Sequence, residues 1–321
     1  MILSIDTSCY TTSVAIMDLE GRLICDVRRP LPVEKGCRGL RQSDAVYAHT
    51  RNLPYVLEEA LGQCPAERLT AIAVSTRPRP TDGSYMPVFT AGEGQARILA
   101  AALKLPKYTF SHQEGHLAAA LWSASLNWEE PFLALHLSGG TGEILSVKPG
   151  KPLAEGENQN PAYDISLVGD TDLPPGQFVD RVGVALGLPF PAGADLDRLA
   201  LSATCRDFRL PGCVQGTHIS FSGPESAAQR AVKKGVDPGQ IAAAVFDNIA
   251  KSVQKAIRAA RDQNHIEKVL LMGGVAASQN IRNYLERDEV FFCPAQFSSD
   301  NAVGLAILAK NIEIGRISID K

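Results

Sequence analysis

The chain opens as short apolar runs broken by small polar turns: ILSID, TSCYTT, SVAIMD, LEG and RLICDVR, within residues 1 to 28. Alternation on this scale predicts strand, turn, strand, turn, strand, a β-meander. The plan returns as FLALHLS, GGTG, EILSVK, PGK and PLAEGE, residues 132 to 157. Two copies, each followed by mixed helix and strand, predict a duplicated α/β protein. The expected domains are residues 1–130, residues 131–295, and a C-terminal helix, 296–321, returning to the first.

Between the repeats the pattern predicts α/β crossovers. Residues 28–51 read as a loop, LPYVLEEALGQC as an amphipathic helix, and LTAIAVST as a buried strand. After the turn-rich RPRPTDGSYMP comes a helix, AGEGQARILAAALKL, and a short strand, YTF. In the second half Asp180 falls on a helix and Gly193 in a Pro-rich loop behind it. HISFSGPESA reads as a strand ending in a small-residue turn. Ile241, Val245, Ile249, Val253 and Ile257 recur at helical spacing within residues 237–264 and mark a core-facing helix. KVLLMGGVAAS reads as a strand opening into a glycine turn and a helix start. FSSDNAVGLAILAKN is a loop and last helix with Asp300 at its entrance, as N-cap or metal ligand.

Composition narrows the class. A 321-residue chain that is 45% hydrophobic and 21% charged buries substantial cores and has room for two domains. Its net charge of -3 argues against bulk electrostatic binding of nucleic acid, so such a partner must meet a local basic patch or a helper subunit. The strongly basic stretch is 28–51, with Arg28, Arg29, Lys35, Arg38, Arg41 and Arg51 against Glu34 and Asp44; it is either a solvated surface or a contact for RNA. Seven scattered cysteines without a Cys-x-x-Cys pair suggest reduced thiols in a cytoplasm. No segment approaches the roughly 20 apolar residues that cross a bilayer, and no membrane association is expected.

The candidate chemistry lies in SHQEGHLAAALW, residues 111–122. On a helix, His112 and His116 share one face a turn apart, where both imidazoles reach a single metal ion. Ser111 and Glu114 fit a capping box that starts the helix at His112. Glu114 stands two residues after the first histidine, so the zincin protease motif is absent.

Seven segments taken together, MILSIDTSCYTTSVAIMD, SHQEGHLAAA, PFLALHLSGG, LGLPFPAGADLDRLA, ISFSGPESA, LLMGGVAAS and SSDNAVGLA, resemble in order and register the tRNA threonylcarbamoyladenosine synthase catalytic subunit family, formerly called O-sialoglycoprotein endopeptidase or glycoprotease. The resemblance implies the actin-like, sugar-kinase-like ATPase fold, two α/β domains around a nucleotide cleft. It implies His112, His116 and Asp300 as ligands of one iron or zinc ion. It implies Ser138, Gly139 and Gly140 as the phosphate-side turn, Asp180 and Gly193 as nucleoside contacts, and Gly273 and Gly274 as the turn near adenine, with Ser278 where the family has an asparagine. The implied reaction moves a threonylcarbamoyl group from its adenylate to adenosine 37 of tRNA, with ATP or ADP as related ligands and with helper subunits or a homodimer as partners. Tyr10 and Thr11 stand where the family has an acidic pair, Thr141 where it has histidine, and Gln177 where it has glutamate. These departures suggest a divergent paralog, with a regulatory or scaffold role, or a different acceptor, as the alternative.

Overall fold

A computed structural model describes residues 1–8, 10–32, 40–150, 162–286 and 289–319. The chain divides into two compact units. Unit 1 comprises Met1–Ser125, Gly150–Tyr163 and Asp300–Lys321, and unit 2 comprises Leu126–Pro149 and Asp164–Ser299.

Unit 1 begins with β1 (Ile2–Asp6), β2 (Thr11–Met17) and β3 (Leu23–Pro30), which pair antiparallel as the meander pattern predicts. Every residue of β1 is buried, the mark of a strand covered on both faces. Next come α1 (Gln42–Gln63), β4 (Ala71–Arg77), α2 (Phe89–Leu103), β5 (Lys107–Ser111) and α3 (His112–Ser123). The sheet order is β3-β2-β1-β4-β5, with β4 parallel to β1 and β5 parallel to β4.

Helix α1 starts well before the predicted LPYVLEEALGQC. Its buried positions Ala45, His49, Leu53, Val56, Leu57 and Ala60 form one continuous helical stripe, and Pro54 lies inside the helix. Residues 42–51 of the expected basic loop are therefore helix, and residues 33–39, with Glu34, Lys35 and Arg38, lie outside the described residues.

Unit 2 repeats the plan. It contains β6 (Phe132–Leu137), β7 (Gly142–Pro149), β8 (Tyr163–Asp170), α4 (Pro175–Ala185), α5 (Gly193–Leu201), the hairpin of β9 (Cys213–Gln215) and β10 (His218–Ser220), α6 (Ser222–Lys233), α7 (Pro238–Asn264), β11 (Val269–Met272), α8 (Gln279–Leu285) and β12 (Val290–Phe292). Its main sheet runs β8-β7-β6-β11-β12, with β6 antiparallel to β7 and β11 parallel to both β6 and β12. Each sheet thus carries a three-stranded meander flanked by two parallel strands, and the duplication read from the sequence is present in both topologies. The third strand of the second meander is Tyr163–Asp170; the PLAEGE expected in that role lies outside the described residues.

SGPESA is not a terminal turn but the first part of α6. Gly193 opens α5 instead of lying in the preceding loop. Ile241, Val245, Ile249, Val253 and Ile257 are all buried along α7, as their spacing requires. The last helix, α9 (Val303–Ile319), belongs to unit 1 and packs on α3. Among the described residues no helix is long and apolar enough to cross a membrane.

Candidate metal centre

The capping box forms as read. The Ser111 hydroxyl accepts from the Glu114 amide at 3.2 Å, while Glu114 Oε2 accepts from the Ser111 amide and hydroxyl, each at 2.7 Å. This pins the first turn of α3 and sets the direction of both histidines. The other carboxylate oxygen of Glu114 accepts from the Ala162 amide at 2.7 Å. With both oxygens engaged and the side chain buried, Glu114 is a structural group.

Asp300 comes from the entrance to α9. The cap there is Asn301, whose Oδ1 accepts from the Val303 amide at 3.1 Å, so the N-cap role considered for Asp300 belongs to its neighbour. Ser4 of β1 anchors the same entrance by donating to the Ala302 carbonyl at 2.8 Å. Asp300 Oδ1 then lies 3.5 Å from His112 Nε2 and 3.4 Å from His116 Nε2. The two Nε2 atoms are 2.8 Å apart.

Asp6 completes the cluster, and its role was not drawn from the sequence. It ends β1 fully buried, accepts from the hydroxyls of Ser8 (2.6 Å) and Ser75, and places Oδ2 3.3 Å from His112 Nδ1. The available signal was an acid closing an apolar strand, since a fully buried carboxylate needs partners. Burial disfavours charge on His112, but the Asp6 and Asp300 carboxylates outweigh it and push its pKa up to about 10. His116 is held low by burial and by the neighbouring His112. Burial raises Asp300, yet hydrogen bonds from both histidines hold it well below the ordinary carboxylate range.

The donor set fits a metal ion. His112, His116 and Asp300 offer two imidazole nitrogens and a carboxylate oxygen within 4.8 Å of one another. Separations of 2.8 to 3.5 Å suit three ligands each about 2 Å from one ion. Two histidines and one carboxylate with open positions suit iron or zinc. A buried carboxylate behind the first histidine is the usual orienting partner of a metal-bound imidazole.

The remaining predicted residues lie in unit 2. Ser138, Gly139 and Gly140 form the turn after β6, where Ser138 Oγ accepts from the amides of Gly140 (3.3 Å) and Thr141 (3.0 Å). Gly273, with φ +95°, follows β11 so closely on β6 that a Cβ there would lie 2.4 Å from the Leu137 carbonyl oxygen. The structure therefore brings Ser138–Gly140 and Gly273–Gly274 together at the carboxyl ends of two neighbouring parallel strands, a common place for ligands in α/β sheets. Asp180 on α4 accepts from the Ala192 amide at 2.8 Å, which ties it to the start of α5 beside Gly193. Ser278 caps α8 by accepting from the Ile281 amide and donates to Asp197 of α5.

The family model for TsaD, tRNA N6-adenosine threonylcarbamoyltransferase, matches residues 34–307. The chain belongs to the tRNA N6-adenosine threonylcarbamoyltransferase family. A member from Anaeromyxobacter sp. (strain Fw109-5) is 32% identical, the match covering 95% of this chain and 92% of the relative. One from Streptococcus suis (strain 05ZYH33) is 31% identical over 96% and 91%. Among solved structures, a ROK family glucokinase from Streptomyces griseus superposes with a TM-score of 0.51 at 12% identity, covering 97% of this chain and 99% of the glucokinase. That likeness concerns the fold alone: this threonylcarbamoyltransferase relative has the actin-like, sugar-kinase-like architecture.

Proposed function

We propose that the protein transfers a threonylcarbamoyl group from threonylcarbamoyl-adenylate to the N6 amine of adenosine 37 in tRNA, with one iron or zinc ion held by His112, His116 and Asp300. The observation that carries this reading is the convergence of those three donors in a chain of this family. A new bond forms between N6 and the carbamoyl carbon, the bond from that carbon to the adenylate phosphate oxygen breaks, AMP leaves, and N6 gives up a proton. When bound, the metal neutralises charge on the phosphate side and polarises the carbamoyl group.

The chain's own residues do the rest by positioning. Asp6 fixes the orientation of His112, the capping box fixes α3, and Asn301 fixes the entrance to α9. The turns at Ser138–Gly140 and Gly273–Gly274 offer backbone groups to the adenylate, or to ATP or ADP, and Asp180, Gly193 and Ser278 border the nucleoside. No nucleophilic side chain is needed, because the amine attacks an already activated acyl group. Arg29 and Arg51, stacked on Tyr55 and Tyr47, offer a contact for tRNA. Helper subunits or a second copy, in the cytoplasm, complete the reading. The scaffold alternative is not favoured, since relatives named as transferases match along 95% or more of this chain.

The test incubates the protein with the adenylate and unmodified tRNA, with and without helper subunits, and follows the modified nucleoside by mass spectrometry. Product from the wild type and none from His112→Ala with His116→Ala is expected. Equal product from both would overturn the metal role, and none under any condition would overturn the transfer.

A further inference from the structure

Beside the candidate metal centre, and in the same unit, β4 ends on a cation that no acid balances. Its last residue, Arg77, is half-buried. Among the described residues its side chain has no hydrogen-bond or ion-pair partner; Nε is closed off from solvent, whereas the two terminal amino groups are not.

The backbone brings this residue to the centre. In the parallel pair of β4 and β5, Ser75 stands opposite Phe110 and Arg77 opposite Ser111, so Thr76 is an extra residue in the ladder. A bulge of this kind re-aims the side chains beside it and is common next to active sites. Both flanks of Arg77 are tied to the centre: Ser75 donates to Asp6, and the Pro78 carbonyl accepts from the Gln113 amide of α3 at 3.0 Å. His112 directly follows Ser111. The acids of the neighbourhood are nevertheless engaged elsewhere, Asp6 with Ser8, Ser75 and His112, Asp300 with both histidines, and Glu114 with Ser111 and Ala162. A guanidinium partly withdrawn from water without a counter-charge is unfavourable, and an anionic ligand removes that cost. With Nε closed off, the ligand meets the head end-on, at two amino groups whose spacing matches the two oxygens of one carboxylate.

We propose that Arg77 binds the free carboxylate of the threonyl group. This rests on the proposed transfer, whose adenylate carries two anionic groups, the phosphate and, at the other end of the acyl part, that carboxylate. With the phosphate side assigned to the triad, the carboxylate falls to the cation left over. Arg77 then sets specificity: an adenylate of plain carbamate, which has no carboxylate, leaves the guanidinium bare and binds less well.

Calorimetric titration of the metal-loaded protein with N-carbamoyl-L-threonine, in parallel with N-carbamoyl-L-threoninamide, tests the assignment, because the two differ only in the charged group. The acid should bind saturably and at least about tenfold more tightly than the amide. Arg77→Met should weaken the acid by at least about tenfold, leave the amide unchanged and keep the wild-type metal content by elemental analysis. If Arg77→Met fails to fold, Arg77→Gln takes its place. No binding of the acid by the wild type, equal binding of acid and amide, or metal lost from the variant would each overturn the proposal. So would an undiminished preference for the acid in the variant, which would place the carboxylate on the metal. The transfer reading fails separately, if tRNA gains no modified nucleoside, since these titrations involve neither tRNA nor turnover.

Discussion

Asp6 has no exposed surface, takes hydrogens from two serines and faces Nδ1 of His112, leaving Nε2 of that imidazole turned toward Asp300. Asp6→Asn keeps the shape but removes the charge that holds the ring. Metal affinity should fall by about 10- to 100-fold, read by competition with a chelating dye, with the fold retained by circular dichroism. Glu114 yields the contrasting case. In Glu114→Gln one carboxylate oxygen becomes an NH₂ facing either the Ala162 or the Ser111 amide, donor against donor. Urea denaturation should show a loss of about 1 to 3 kcal/mol, while metal content at saturation stays at the wild-type level. The histidine pair and the capping box were legible because both are local, four and three residues apart. Asp6 was not, since apart from Ser8 its partners, Ser75 and His112, come from β4 and α3, and nothing near Asp6 in sequence announces those two.

Helix α9 lies against α3 at a glycine contact: a Cβ on Gly304 would sit 1.8 Å from the Gly115 carbonyl oxygen. Because α3 carries both histidines and the start of α9 carries Asp300, this contact sets the spacing of the donor triad. Gly304→Val must push the helices apart, and metal stoichiometry by elemental analysis should fall below that of the wild type even where the protein stays folded. In unit 2, α6 lacks a cap of its own; Asp172 supplies one by accepting from the amides of Phe221 (2.7 Å) and Ser222 (3.4 Å) and the hydroxyl of Ser220. Burial raises its pKa, but these hydrogen bonds outweigh it and hold the carboxyl below its ordinary value. A depressed folded-state pKa gives stability that is present above the unfolded value of about 3.9 and lost as pH falls through the lower folded value. Asp172→Ala should therefore cost about 1 kcal/mol at pH 7 and progressively less below about pH 4, measured by denaturation across pH.

The elements misread in the sequence have physical reasons at this same scale. The first turns of α1 were missed because the basic residues of 28–51 read as a loop, while only Ala45 and His49 of residues 42–51 face the core. The Ser-Gly-Pro start of α6 looked like a turn because its cap comes from a distant residue. Strand β8 was passed over although Tyr163, Ile165 and Leu167 alternate with Asp164 and Ser166, because PLAEGE, nearer in sequence, already filled the third place of the repeated meander.

For the whole molecule, the two five-stranded sheets share one plan that was visible from the repeated meander, and the C-terminal helix was expected to return to the first domain, whereas the share of unit 1 that comes from residues 150–163 was not foreseen. Contact between residues far apart in sequence leaves no local periodicity. Under the proposed function, ligation across two of the segments of unit 1 ties folding to metal: an ion at 100 times its dissociation constant adds about 2.7 kcal/mol to the folded state. Chelation should lower the thermal midpoint of the wild type by several degrees and leave His112→Ala with His116→Ala unmoved, as read by differential scanning fluorimetry.

The distance along the chain between the histidines and Asp300 also has a consequence in time. A ribosome adding about 5 to 20 residues per second takes roughly ten to forty seconds to travel from His116 to Asp300. Throughout that interval the nascent polypeptide presents two imidazoles and no third ligand. In the proposed function, the ion held by the triad is thus chosen late, by the completed site and the metals then at hand, and not by the first cation to meet the emerging helix.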